Sequence, residues 1–122
     1  MAVNNNFKND ILFESKNGYS YQCDKTNSII INFSGITSKY KVQDFLIFQR
    51  KVNSVDILDM LYDLSDKCDF KLIETTQKKF SRNLTICEIV QLRELLNGTK
   101  FALVLNSMLN EVLSDVAVSY LD

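Results

Sequence analysis

The chain has 122 residues, 46% of them hydrophobic and 24% charged, and carries a net charge of -1 at pH 7. That length suits one domain able to bury a core without disulfides or metal, and the balanced charge excludes an overall pull toward nucleic acid or anionic membrane. With no histidine and only Gly18, Gly35 and Gly98 as glycines, it lacks the commonest general base and transition-metal ligand and any glycine-rich phosphate loop.

Residues 1 to 9 are polar and asparagine-rich, a frayed end. Ile11-Leu12-Phe13 opens a first strand, Lys16-Asn17-Gly18 supplies turn chemistry, and Tyr19 to Cys23 alternates at period two. After a turn over Asp24 to Asn27, the β-branched run Ile29 to Phe33 is expected to be buried on both faces or nearly so. Three strands then form a meander that Ser34-Gly35 ends, and Thr37-Ser38 can cap a helix starting near Tyr40.

From Val42 to Leu64 the chain has neither glycine nor proline and reads as helical. At about 100° per residue, Phe45, Phe48 and Val52 share one side of its first half, with Gln43, Arg50 and Lys51 largely opposite. In the second half Ile57, Leu58, Met60, Leu61 and Leu64 fall where the first half was polar. One straight helix on one core cannot change faces cheaply. The expectation is a break near Asn53-Ser54 with Ser54 as the new N-cap, or else a helix sandwiched between two apolar surfaces.

Further on, Phe70 to Glu74 reads as a strand, Thr75 to Lys79 as a turn and Phe80 to Leu84 as a returning strand. Thr85-Ile86-Cys87-Glu88 is a capping box that starts a helix carrying Ile89, Leu92, Leu95 and Leu96. Asn97-Gly98 suits a left-handed helix end, beyond which Phe101, Leu105, Met108, Leu109, Val112 and Val116 follow helical spacing in a different phase. Gly98 is therefore expected to mark a bend between two helices. The expected fold is one α+β domain over residues 1 to 122: a small antiparallel sheet of three N-terminal strands plus a hairpin, packed by helices on one side.

No apolar run approaches the roughly 20 residues needed to span a bilayer, and the N-terminus lacks the basic and apolar pattern of a secretion signal. Cys23, Cys68 and Cys87 are odd in number and far apart, which suits thiols in a reducing compartment, so a cytoplasmic location is expected.

Four constellations stand out. Asp56, Asp59, Asp63 and Asp66 fall within about 80° on a helix; such a stripe is ordinarily a solvated face and, functionally, a docking face for a basic partner. It lacks the turn and backbone carbonyls of a hard-cation cage, so no metal is expected. Lys78, Lys79 and Arg82 surround Phe80, a pattern that could contact phosphates and stack on a base, although edge strands also use lysine to block unwanted pairing. Lys39, Lys41, Arg50 and Lys51 form a second basic cluster. Cys87 has no histidine partner and reads as a small buried side chain, leaving Cys68 as the exposed thiol. No nucleophile-base pair is visible. Opposed apolar faces on the 42 to 64 stretch and near the C-terminus exceed what a small sheet can cover. The expected function is thus a non-enzymatic cytoplasmic interaction or regulatory domain without cofactor, which contacts a protein partner or a second copy through the four aspartates, Phe48 and Leu109. The alternative is nucleic-acid contact through Lys78, Lys79, Phe80 and Arg82.

The strand pair around Cys23, the run IIINF, the helix carrying Phe45 and Phe48, and LTICEIVQLRELL together resemble a small uncharacterised protein family of Bacteroidetes, a domain of unknown function, over roughly residues 20 to 114. The resemblance implies no functional residues. Relatives carry a Cys-x-x-Cys where this chain has Cys23 and Thr26, so a metal or redox role does not carry over.

Overall fold

A computed structural model describes residues 11–23, 26–62 and 70–121, with side chains as far as Ser107 except that of Thr76. Four strands, β1 (Ile11–Ser15), β2 (Gly18–Cys23), β3 (Ser28–Phe33) and β4 (Ile36–Tyr40), form an antiparallel meander in the order β1-β2-β3-β4. Helices α1 (Val42–Asn53) and α2 (Ile57–Tyr62) follow, then a second sheet of β5 (Lys71–Glu74) and β6 (Ser81–Leu84), and finally α3 (Ile86–Leu121). The α+β class and the hairpin at residues 71 to 84 are as the sequence indicates.

The run Ile29 to Phe33 is buried on nearly both faces, as expected, on an inner strand of the sheet. Ile29, Ile31 and Phe33 are at most 1% exposed and face the core, while Ile30, on the other face, has Tyr21 and Lys39 as its cross-strand neighbours. The meander has a fourth strand where a helix cap was expected. Phe33 pairs with Ile36 across a two-residue loop in which Ser34 and Gly35 both have positive φ, 53° and 85°. That is the backbone a tight I′ hairpin demands, so Ser34-Gly35 turns the sheet rather than ending it. Thr37 and Ser38 are strand residues, and α1 starts after Lys41 with no side-chain cap.

The chain breaks between α1 and α2 as the change of apolar face requires, but Ser54 has the opposite job. Its N–H donates to Arg50 O (3.0 Å) and its hydroxyl to Lys51 O (2.7 Å), closing the end of α1. Asp56 caps α2, accepting from the Asp59 N–H at 2.9 Å. The core then collects Phe45, Phe48 and Val52 of α1, Ile73 and Leu84 of the hairpin, and Ile89, Leu92, Leu95 and Leu96 of α3 against the sheet.

A further correction concerns α3. It runs unbroken for 36 residues through Gly98, a length of about 54 Å at 1.5 Å per residue. A compact body of this size is only roughly 35 Å across, so the helix is longer than the body that supports it. Gly98 is in helical conformation and serves close approach: a Cβ there would fall within 2.5 Å of the Phe13 ring on β1.

Candidate interaction surface

The site begins with how α3 is held. Its capping box closes reciprocally, the Thr85 N–H donating to Glu88 Oε1 (2.9 Å) and the Glu88 N–H to Thr85 Oγ1 (3.2 Å). Ile89, Leu92, Leu95, Leu96 and Thr99 are all 0% exposed. Thr99 donates back to Leu95 O (2.7 Å) and lies 2.5 Å from the buried Ser20 hydroxyl. Two i, i+4 polar pairs lock α3 to α1. Arg93 donates to the α1 end at Val52 O (3.1 Å) and to Val55 O (2.8 Å), and the Asn97 carbonyl accepts from both Gln49 (2.9 Å) and Asn53 (2.8 Å). In the sequence, the only signal for Arg93 and Asn97 is the matching four-residue spacing of Gln49/Asn53 and Arg93/Asn97.

Past Thr99 the helix changes character. Phe101 is 67% exposed, Val104 47% and Leu105 42%. At about 100° per residue these three lie about 180° round the helix from Leu92, Leu95, Leu96 and Thr99. Phe101, Val104 and Leu105 thus point away from the body, while Leu103 still packs against the core cluster and Asn106 is exposed nearer the side that the first half buries. Leu109 belongs to this segment of α3, but its side chain is outside the described residues.

A second apolar area flanks α2 and β5. Leu58, Leu61, Tyr62, Phe70 and Leu72 are each more than half exposed, and Phe70 and Leu72 line a groove of about 370 Å³. Asp56 and Asp59 line this groove together with Lys51 and Lys71. Of the acidic stripe, Asp59 and the capping Asp56 are placed on this groove, and Asp63 and Asp66 lie outside the described residues.

Two expected contacts are excluded by burial. Phe48 is 1% exposed, packed between the rings of Tyr40 (5.3 Å between centroids) and Phe80 (5.5 Å), so it cannot reach a partner. Phe80 is 2% exposed and cannot stack on a base. Lys79 is occupied: its ammonium donates to Lys39 O at 3.1 Å and sits 5.7 Å from the Tyr40 ring centroid. Lys78 is exposed and Arg82 half-buried, leaving a basic segment without its aromatic platform. Between them, β4, α1 and the hairpin enclose a small cavity of about 110 Å³ lined by Tyr40, Asp44, Lys51, Glu74 and Lys79. The Lys51 ammonium there is tied to Glu74 O at 2.5 Å. The Tyr40 hydroxyl is hydrogen-bonded to Ser38 (2.7 Å), and burial raises its pKa above the ordinary tyrosine value. Cys87, expected to be buried, is exposed on the first turn of α3.

Comparison with family models, with curated proteins and with solved structures finds no match to this chain. Site residues therefore come from the geometry alone. Among the described residues no cluster of three metal-ligating side chains occurs and no helix is long and apolar enough to cross a membrane.

Proposed function

We propose that the protein is a non-enzymatic cytoplasmic interaction or regulatory module whose contact surface is the outer face of α3 beyond Thr99. The observation that carries this is the reversal of the apolar face: Phe101, Val104 and Leu105 are exposed on the side of the helix opposite the one that binds the body. Large exposed apolar patches mark interaction sites, and a helix segment projecting from a body gains most of its stability from what packs on it. The odd number and wide separation of the cysteines in the sequence are the support for a cytoplasmic setting. The groove beside α2, with Asp59 on its rim, is an accessory surface.

The test is affinity capture from the native cell with wild type and Leu105→Asp side by side. Leu105 is exposed, so the variant should fold normally by circular dichroism and lose its bound protein. A partner retained equally by both would place the contact elsewhere.

A further inference from the structure

We propose that the outer face of the meander, with the open edge of β4, binds single-stranded nucleic acid, DNA or RNA. This face is opposite the one on which α3 packs, so the site is independent of the surface on α3. Charge is the first support. Lys39, Lys41 and Lys79 line an open groove of about 690 Å³ at β4 with the hydroxyl residues Thr26, Ser28 and Thr37, and no carboxylate lines it. All three lysines are exposed. The fold thus joins residues of two basic clusters that are far apart in the sequence. Lys41 is extended like the strand before it (φ -68°, ψ 157°), which sets it about 7 Å from Lys39 on the same side of the chain. Lysines and hydroxyls without an acid suit a string of phosphates. The net charge of -1 gives no general attraction, so the local field decides.

An aromatic platform on the same face is the second support. Ser20 is buried against Thr99, so Tyr19 and Tyr21 on either side of it point outward. Their rings are nearly parallel, 19° between planes and 6.2 Å between centroids, and Tyr19 is 39% exposed. Register places them beside the lysines. Tyr21, Ile30 and Lys39 are neighbours across three strands, as are Tyr19, Asn32 and Thr37, which puts the platform about 10 Å from Lys39. Bases stack on such rings without regard to sequence, and only unpaired bases offer them a face. Tyr19 and Tyr21 supply on the open side of the sheet what the buried Phe80 cannot. Glu14, the only carboxylate in the four strands, stands beside Tyr19 on β1, the far side from the lysines. The face is therefore polarised, with phosphates favoured along β4 and bases over β2.

Fluorescence anisotropy with labelled oligo-dT and oligo-rU of about 12 nucleotides, and with a duplex of the same length, decides it, with circular dichroism on each variant. Wild type should bind one or both single strands at low salt and the duplex more weakly. With three phosphate contacts, log affinity should fall against log salt with a slope of about -2, and Lys39→Gln with Lys41→Gln should reduce that slope to about -0.7. Tyr19→Ala should weaken binding about tenfold at an unchanged slope, while Tyr19→Phe, which keeps the ring, should bind as wild type. Tyrosine emission of the wild-type protein should be quenched on binding, which reports stacking without any substitution. No binding of either single strand, a duplex bound as tightly, a slope untouched by the lysine pair, or affinity indifferent to Tyr19→Ala with no quenching would overturn the proposal. Each of those results would leave the contact at Leu105 standing.

Discussion

Replacing Gly98 by alanine should destabilise the fold, against the ordinary rule. In a helix interior the change normally gains about 0.5–1 kcal/mol, because glycine loses more backbone entropy on folding. Here the added methyl would fall within 2.5 Å of the Phe13 ring, and Phe13 packs against the core cluster and cannot simply swing into water. Overpacking of this kind costs about 1–3 kcal/mol. The net expectation is a loss of about 0.5–2 kcal/mol, and at about 4 °C per kcal/mol for a domain of this size the midpoint should fall by several degrees. The sign should reverse once the ring is gone: in a Phe13→Ala background, Gly98→Ala should stabilise by about 0.5–1 kcal/mol. Urea denaturation of the four proteins in the cycle gives the coupling directly. A stabilising Gly98→Ala in the wild-type background would show that α3 does not press on β1 at this point, and with it would go the argument that α3 passes straight through Gly98.

Three further outcomes follow from the same contacts. Asp56→Ala should cost about 1 kcal/mol and speed amide exchange in α2, as loss of an N-cap does; Ser54→Ala should leave α2 exchange unchanged, and an equal effect of both would reject the assignment of the cap. Phe80→Ala should unfold much of the population, at about 3–5 kcal/mol, whereas Lys78→Ala should stay within about 0.5 kcal/mol of wild type; a soluble, native-like Phe80→Ala that loses nucleic-acid binding would revive the reading of Phe80 as a stacking residue. Tyr40 should ionise later than an exposed tyrosine in an ultraviolet pH titration, because burial disfavours its phenolate. The unfolded chain releases that proton first, so stability should fall as pH rises above about 10, and Tyr40→Phe should flatten that slope.

Much of the architecture was written in local sequence. Period-two alternation and turn residues mark the meander, and Thr85 and Glu88 mark the start of α3 with the bonds a capping box requires. The shift of apolar face after Val52 locates a real break. The errors arise where a residue type has two physical uses. Ser34-Gly35 reads equally as a strand end and as a I′ turn, and only the pairing of Phe33 with Ile36 decides. Gly98 reads as a helix stop, whereas its lack of a side chain serves contact with Phe13, a residue 85 positions away. Phe48 and Phe80 look available by sequence because amphipathic spacing gives the apolar face without saying what covers it; the hairpin and β4 do. The phase difference between the two halves of α3 was visible throughout. Interpreted as a bend it said little, and as an unbroken helix it turns an apolar face outward.

The most direct measurement is amide hydrogen exchange along α3 with the protein alone and bound to the protein it captures. Residues 86 to 99, the half of α3 that packs against the sheet, should be protected in both. Residues 100 to 107 should gain protection in the complex and lose that gain in Leu105→Asp, with the first half unchanged. Protection around Leu105 that ignores both the partner and the Leu105→Asp change would contradict an interface on the outer face of α3.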